Sequence, residues 1–190
     1  MHSSARKVRR TTEALRVGAS RARALVACVA LGACAASAKA PTDAPVGVSN
    51  VTTGSPVPFQ FDSLDSRPVT SEAMRGKPTL LVFVQTLELW STAELDYVIA
   101  MAAHDGDRVN YAMVALETAP GREMFEIWHE KLKAPFPGAL ADADTLYGTG
   151  PFGVLKVPTT ILLDRSGRVV WEVMGRAATS QEIREQMKGL

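Results

Sequence analysis

Apolar runs and helical patterns alternate along the chain beyond about residue 57. The runs TLLVFVQ (residues 79–85) and VNYAMVALE (residues 109–117) are continuously apolar, as strands buried on both faces of a sheet are. The earlier stretch VPFQFDSL (residues 57–64) fits an edge strand. Helical patterns follow both buried runs, in residues 91–104 and 121–133, and either Ser91 or Thr92 is the expected cap of the first helix.

The C-terminal part of the chain predicts a hairpin followed by a helix. The hairpin joins VPTTILLD (residues 157–164) to RVVWEVMG (residues 168–175) through a tight Arg-Ser-Gly turn. Thr179 and Glu182 form a capping box at the start of the last helix. One face of this helix carries Ile183, Met187 and Leu190. The order β-α-β-α-β-β-α predicts an α/β domain with a mixed sheet and helices on both faces.

The N-terminus combines basic residues with a short apolar run. Seven of the first 33 residues are Lys or Arg, and the run ALVACVALGA (residues 24–33) is too short to span a membrane. This layout is typical of a secretory signal peptide. The following motif, Leu31 to Cys34, resembles the lipobox of bacterial lipoproteins, which implies that Cys34 is lipidated after cleavage. Cleavage after a small-x-small site such as residues 36–38 stays open as an alternative, and both routes predict export.

These patterns divide the chain into a signal peptide (residues 1–33), a flexible tether (residues 34–56) and a folded domain (residues 57–190). We expect a lipid-anchored protein that faces the periplasm. The absence of an aspartate after Cys34 favours the outer membrane, by resemblance to lipoproteins. Without residues 1–33 the chain has 14 basic and 19 acidic side chains, so its net charge of −5 gives no support for a nucleic-acid partner.

The distribution of cysteine limits the chemistry of the domain. The two cysteines are Cys28, inside the apolar run, and Cys34, in the lipobox-like motif. Residues 35–190 contain no thiol and therefore cannot form a disulfide or exchange one, because the thiolate is the nucleophile in that reaction.

Four sequence features nevertheless resemble the thioredoxin-like superfamily, specifically the exported TlpA/ResA-type branch that overlaps the redoxin (AhpC/TSA-like) group. They are the stretch at residues 61–83, the helix start STAEL, the run at residues 133–170, and VPTTILLDRSG within that run, which is the most specific of them. Together they cover about residues 57–190. The resemblance implies a thioredoxin-like fold and a family activity in thiol-disulfide exchange.

The family's pair of active-site cysteines is replaced in this sequence. Aligning the family motif with VQTLELWSTAEL places Glu88 and Ser91 at the cysteine positions, with Leu89 and Trp90 between them. Val82 falls where relatives often carry an acidic or amide group, so the alignment predicts that both thiols and the buried proton carrier are missing.

The resemblance also implies a groove beside this stretch. In relatives, an extended peptide lies along the loop that corresponds to Val157, Pro158 and Thr159, and the Val157–Pro158 bond is expected to be cis. Trp90 either stands exposed at the rim of this groove, as an aromatic anchor for a partner, or folds back into the space of the missing disulfide.

The remaining polar candidates each have a structural alternative. Glu88 is either an acid or base, or a carboxylate that interacts with the helix dipole. Ser91 is either a nucleophile or a helix cap. His104 lies close to Asp105 and Asp107 and forms with them either a metal site or an exposed turn.

The other histidine and the methionines give weaker signals. His129 fits a solvated helix face. Four methionines are candidates either for the core or for soft Cu(I) ligands, with the core favoured: Met101, Met113, Met124 and Met174. We therefore expect no metal and no cofactor.

The sequence thus leaves three functional hypotheses. The favoured one is a redox-inactive envelope lipoprotein that binds or scaffolds a partner protein through the degenerate active-site face. The second is a thiol-disulfide oxidoreductase or peroxiredoxin-like enzyme that acts without its usual cysteines. The third is a small-molecule or metal-binding protein that uses the same cleft.

Overall fold

The computed structural model describes Val48–Ser49 and residues 54–190. The predicted signal peptide, Cys34 and most of the predicted tether lie outside the described residues. Eight strands form one sheet, with the bounds β1 Val48–Ser49, β2 Gln60–Ser63, β3 Val69–Thr70, β4 Thr79–Val84, β5 Asn110–Ala115, β6 Gly138–Leu140, β7 Thr159–Leu163 and β8 Val169–Met174. Four α-helices accompany the sheet: α1 Leu89–Asp105, α2 Arg122–Leu132, α3 Ala143–Leu146 and α4 Ser180–Met187.

The sheet is mixed, as the sequence predicts. Its strand order is β1-β8-β7-β4-β5-β6-β2-β3. The central strands β4, β5 and β6 are parallel, and β7 pairs antiparallel with β4. Every residue of β4 is buried, because strands cover it on both sides and side chains cover both of its faces.

One face of the sheet packs against three helices. Alternate residues of β4 and β5, among them Val82 and Met113, meet Leu95 of α1, Phe125 of α2 and Ile183 of α4 in a single apolar cluster. The predicted face of the last helix is confirmed, and so is its capping box. In α2 the large apolar side chains are divided between the core and the surface. Phe125 and Trp128 point inward, whereas Met124 and Ile127 are exposed.

The opposite face of the sheet is covered largely by an aromatic cluster. Phe59 and Phe61 from the N-terminal segment, Phe83 from β4 and Phe152 from the segment before β7 contact one another, with ring centroids 5.4–6.5 Å apart. Aromatic rings bury a large apolar area, and this cluster ties the residues around Phe152, which lead to β7, to the centre of the sheet.

Several elements differ from the prediction. Val48–Ser49 lies inside the predicted tether yet pairs with β8. β3 pairs antiparallel with β2, as the resemblance of residues 61–83 to the family's entry hairpin implies. The short strand β6 and the four-residue helix α3 have no predicted counterpart, since they are too short to leave a periodic pattern. None of the described helices is long and apolar enough to cross a membrane.

Candidate functional site

Hydrogen bonds fix the loop that leads from β4 to α1. This loop comprises residues 85–88. The N–H of Glu88 donates to the carbonyl oxygen of Gln85 (3.1 Å), and the N–H of Thr86 donates to the carboxylate of Glu117 (2.7 Å), which follows β5. The start of α1 is therefore held against the neighbouring strand.

Glu88 is the N-cap of α1. Its two carboxylate oxygens accept hydrogen bonds from the N–H groups of Trp90 (3.0 Å) and Ser91 (2.6 Å), which are otherwise without partners in the first turn of a helix. Partial burial acts to raise the pKa of the Glu88 carboxyl, but these hydrogen bonds outweigh it and the pKa is lowered. The Glu88 carboxylate is therefore negatively charged at neutral pH and lies at the positive end of the helix dipole, which is one of its two predicted roles.

Ser91 does not cap the helix. It lies inside α1, is fully buried, and its hydroxyl oxygen accepts the N–H of Gln85 at 3.4 Å. Thr92 donates its hydroxyl to the carbonyl oxygen of Glu88 at 3.1 Å. The prediction that Ser91 or Thr92 is the cap is wrong, because the longer side chain of Glu88 reaches both free N–H groups first.

The Pro158 loop, Val157 to Thr159, lies beside this helix start. The Val157–Pro158 bond is cis, as the resemblance implies. Thr159 pairs with Phe83, so Pro158 lies opposite the end of β4. The carbonyl oxygen of Pro158 accepts the N–H of Gly175 at 2.8 Å, which fastens the loop to the end of β8.

Val157 has backbone groups available for a partner. Its neighbour Lys156 accepts a hydrogen bond from the Thr159 hydroxyl (2.6 Å), but the N–H and C=O of Val157 bond to none of the described residues. The residue is half-buried. An extended peptide can pair with such free groups as an added strand.

Large apolar side chains surround the helix start. Leu87 is 71% exposed, Leu89 73% and Trp90 62%, and these three residues form what we call the apolar rim. Leu155, in the segment before the Pro158 loop, is 73% exposed. The exposure of Trp90 decides between its two predicted positions, because a side chain filling the space of the missing disulfide would be buried.

The backbone of Leu87 is strained. Its φ of 64° lies in the left-handed region, which is uncommon for residues other than glycine and costs on the order of 1 kcal/mol for a leucine. The strain turns the chain between β4 and α1 and holds an apolar side chain in solvent. Strained and exposed apolar residues together are typical of a functional surface.

A buried carboxyl group lies directly behind this surface. Glu94, one turn into α1, is fully buried and accepts hydrogen bonds from the hydroxyl of Thr160 and from the N–H of Ala178 (3.1 Å). Both bonds reach Oε1, and Oε2 has no partner among the described residues. Burial raises the pKa of Glu94 to about 7, although the two hydrogen bonds act to lower it.

Glu94 was not among the predicted site residues. Val82, where relatives often carry an acidic or amide group, is buried and apolar, as the alignment predicts. A glutamate three residues after Ser91 fits a solvated helix face equally well, and only the packing of α1 against β7 buries it. The position predicted to lack the proton carrier is apolar, and a buried titratable group that was not predicted lies at Glu94 on α1.

Comparison with known proteins establishes the fold. No protein-family model matches the sequence, and no curated protein matches it. Three solved structures illustrate the structural likeness. A DsbF homologue from Corynebacterium diphtheriae has a TM-score of 0.64 and 17% identity over 77% of this chain and 96% of its own. The thioredoxin domain of a thiol-disulfide oxidoreductase from Bacteroides vulgatus has a TM-score of 0.58 and 16% identity, over 74% of this chain and 97% of its own. A secreted disulfide oxidoreductase from Mycobacterium tuberculosis, homologous to E. coli DsbE, has a TM-score of 0.57 and 20% identity, over 70% of this chain and 96% of its own.

The fold is thioredoxin-like. This confirms the predicted fold class, and the neighbours are consistent with the TlpA/ResA-type resemblance. In the thioredoxin-like domain, the predicted site residues lie at one end of the central strands, where α1 starts and β7 begins. Leu89, Trp90 and part of Glu88 reach the surface, whereas Ser91, Pro158 and Thr159 are buried beneath it.

The metal candidates are not brought together. No group of three or more histidine, aspartate or glutamate side chains in the described part of the thioredoxin-like domain is placed to hold a metal ion. His104 Nδ1 lies 3.0 Å from a carboxylate oxygen of Asp105, and Asp105 also accepts hydrogen bonds from Tyr111 (2.5 Å) and Arg184 (3.1 Å). The Asp105 carboxylate thus ties α1 to β5 and α4.

The methionines are also dispersed. Met101 and Met113 are buried in the core, as predicted, and Met174 is partly buried at the end of β8. Met124 is exposed on α2, which contradicts its expected place in the core.

Proposed function

We propose that this protein is an exported, lipid-anchored thioredoxin-like protein of the bacterial envelope that binds a partner protein through the apolar rim and the Pro158 loop. The proposal assigns the domain no thiol chemistry of its own, because residues 35–190 contain no cysteine. Export and the anchor rest on the signal-like N-terminus and on the motif from Leu31 to Cys34.

The observation that carries the proposal is the exposure of the apolar rim beside the free backbone of Val157. Leu87, Leu89 and Trp90 lie within four consecutive residues and are all more than half exposed. Grouped apolar side chains on a surface mark interaction sites, and tryptophan is a frequent anchor in them. The expected partner segment is extended, pairs with Val157 through its backbone, and places apolar side chains against the rim.

The polar groups of the site support a binding role. The Glu88 carboxylate is engaged by two N–H groups at the position that the resemblance gives to the attacking thiol. It caps the helix, but it cannot attack a disulfide as a thiolate does. Ser91 is buried and its hydroxyl accepts a main-chain N–H, so it is not presented to a substrate.

A second candidate function is favoured by Glu94. A buried carboxyl with a pKa of about 7 next to the Pro158 loop is suited to hold or release a proton at neutral pH. In this candidate the protein assists thiol-disulfide exchange with cysteines that another protein supplies. The purified chain from residue 34, with Cys34→Ser, is added to insulin and a small dithiol, which supply the disulfide and the thiols that this candidate requires, and the rate of insulin reduction with and without the protein separates the two. A faster rate with the protein would support the enzyme and contradict the binding role.

Site-specific photo-crosslinking in intact cells tests the binding role. A photoreactive residue at Leu89 should crosslink one discrete protein, and the same residue at Asp107, which is exposed near the other end of α1, should not. Trp90→Ala should reduce this crosslink strongly. The matched control is Ile127→Ala, which truncates an exposed apolar residue on α2. Equal crosslinking from both positions, or no effect of Trp90→Ala, would contradict the proposed face.

The anchor has its own test. Cells grown with a radiolabelled lipid precursor should label the wild-type protein and should not label the Cys34→Ala variant. Label retained by the variant would refute lipidation at Cys34 and would leave the binding face untouched.

A further inference from the structure

Two surface turns at the other end of the sheet bring four basic side chains together. Arg75 and Lys77 precede β4, and Arg165 and Arg168 lie in the turn between β7 and β8. The N–H of Gly76 donates to the carbonyl oxygen of Arg165 at 2.9 Å, so the two turns are bonded directly. We call these four basic residues the basic end.

The cations of the basic end are available for a partner. All four side chains are exposed. None of them forms an ion pair with a side chain that the structure describes, in contrast to Arg122 and Arg176, which each contact carboxylates. Arg165 donates one hydrogen bond, from Nη2 to the carbonyl oxygen of Leu190 at 3.0 Å. The exposed Glu72 is the acidic residue in the first turn, and Asp164 in the second turn accepts the N–H groups of Ser166 (2.8 Å) and Arg168 (3.0 Å).

A cleft extends the basic end towards α1 and α4. It has a volume of about 510 Å³, and Lys77, Arg108, Arg165 and Arg184 contribute to its lining. Arg108 and Arg184 both contact the carboxylate of Asp105 in this cleft, so their charge is partly neutralised. Asp107 also lines it. The excess positive charge in the cleft therefore comes from Lys77 and Arg165.

The basic end lies opposite the candidate site. β8 connects the two, since Arg168 immediately precedes the strand and Gly175, which is bonded to Pro158, immediately follows it. Six strand residues span about 20 Å, at about 3.3 Å per residue. A surface that contacts the basic end therefore leaves the apolar rim accessible.

The charge of the domain is unevenly distributed. Residues 54–190 carry 13 basic and 18 acidic side chains. The two turns, residues 72–77 and 164–168, account for four of the basic and two of the acidic residues. The rest of the domain therefore has nine basic and sixteen acidic side chains, and an anionic surface would repel it while attracting the basic end.

The length of the tether would keep a lipidated protein close to the bilayer. Thirteen residues separate Cys34 from Val48, and a chain of that length reaches at most about 45 Å. A domain of this size is itself roughly 35–40 Å across. Val48 pairs with Val173, so the chain enters the domain near the end of β8 that carries the candidate site. The basic end is about 20 Å from that point, which is within the reach of the tether, so electrostatics selects the side that faces the headgroups.

We propose that the basic end contacts the anionic headgroups of the membrane and thereby orients the apolar rim away from the bilayer, towards a partner. In its biological setting this inference rests on the proposed lipid anchor. The lipid surface is the favoured ligand because the four cations are spread over two exposed turns, which fits a plane of charges better than one small anion.

Vesicle binding tests the proposal without lipidation. The chain from residue 34, with Cys34→Ser, is mixed with phosphatidylcholine vesicles that contain or lack phosphatidylglycerol, and bound protein is measured by co-sedimentation at low and at physiological ionic strength. We expect binding only to the anionic vesicles, with a marked loss as salt increases. Each basic residue near such a surface contributes about 1 kcal/mol, which is about fivefold in the partition constant.

Charge-reversal variants locate the contact. Arg168→Glu and Lys77→Glu should each lower the partition constant by about fivefold or more. Lys156→Glu makes the same charge change at an exposed residue beside the Pro158 loop and should change it by less than about twofold. Circular dichroism of each variant shows whether it is folded, and the two independent reversals guard against a local folding defect in either one.

Three results would overturn the proposal. One is equal binding to the two kinds of vesicle, and another is an equal loss with Lys156→Glu. The third is inorganic phosphate displacing the protein from vesicles while sulfate at the same ionic strength does not, since this would identify a site for free phosphate. Failure of lipid labelling at Cys34, or of crosslinking at Leu89, would leave these results unchanged, so each proposal fails separately.

Discussion

The hydroxyl of Thr160, on β7, donates a hydrogen bond to the buried carboxyl of Glu94, on α1. Thr160 is two residues beyond the cis-proline Pro158, and Glu94 is three residues beyond Ser91. The contact therefore joins the two elements that form the candidate site from beneath. The protonation state of Glu94 therefore affects the packing of α1 against β7.

Glu94 should make the stability of the protein depend on pH. Burial raises its pKa from 4.5 to about 7 in the folded state, so the folded protein favours the protonated form. The contribution of this group to stability is fully present below pH 4.5 and is lost as the pH rises through 7. Glu94→Gln mimics the protonated acid. We expect it to match the wild type near pH 4 and to exceed it by about 3 kcal/mol at pH 8, measured by urea unfolding.

Glu182 provides a control of opposite sign. Its hydrogen bonds from Arg176 and Thr179 lower its pKa to about 2, so its contribution is present above pH 4.5 and is lost as the pH falls through 2. Glu182→Gln should therefore destabilise the protein at neutral pH and have little effect in strong acid.

An identical pH dependence for the wild type and Glu94→Gln would show that Glu94 is not buried as described.

Restoring two cysteines tests how closely the helix start matches that of an oxidoreductase. In the variant Glu88→Cys/Ser91→Cys, the first thiolate would receive the N–H groups of Trp90 and residue 91 that now bind the Glu88 carboxylate. Such contacts at a helix N-terminus lower the pKa of a thiol and make it reactive. We expect the double variant to form a reversible disulfide and to reduce insulin.

The single-cysteine variants are the controls for this experiment. Glu88→Cys alone has no resolving thiol, and Ser91→Cys alone is buried, so neither should turn over. A double variant that is folded but forms no internal disulfide would contradict the assignment of Glu88 and Ser91 to the cysteine positions.

Most of the fold could be predicted because its signals are local. The buried strands β4 and β5 are continuous apolar runs, and the capping box of α4 is formed by Thr179 and Glu182, which are three residues apart. β6 could not be predicted, since three residues have no detectable period and their place depends on pairing with β5 and β2. The mixed sheet, its central strands and β2 were thus predictable, but the short strands β1 and β6 were not.

The site was predictable in its position and not in its details. The alignment located Glu88 and the Pro158 loop, but it gave no sign that Leu87 has a left-handed backbone or that Glu94 is buried. Both properties arise from contacts between distant parts of the chain. A charged residue on a helix indicates a solvated face until packing against another element, here the strand that carries Thr160, removes it from water.

The exposure of Trp90 can be measured by fluorescence. The chain contains three tryptophans, and Trp128 and Trp171 are buried whereas Trp90 is exposed. Acrylamide at low concentration should quench chiefly the emission of Trp90. Trp90→Phe should remove the readily quenched component and leave the shielded one. A variant with the same quenching curve as the wild type would contradict the exposed position, and binding of a partner at the apolar rim should shield the wild-type protein.

Leu87→Gly separates strain from function at the apolar rim. Glycine adopts a φ of 64° without steric cost, so the substitution should leave the free energy of unfolding unchanged or raise it by up to about 1 kcal/mol. Leu89→Gly is the matched control, because it removes an equally exposed leucine from the first turn of α1 and should lower that free energy by about 0.5–1 kcal/mol. Both variants should weaken crosslinking of the partner to a photoreactive residue at Leu155, the exposed leucine before the Pro158 loop, since both remove an apolar contact. If Leu87→Gly instead destabilises the protein as much as Leu89→Gly, the side chain of Leu87 contributes to stability. A role in partner binding would then not be needed to explain why leucine occupies this position.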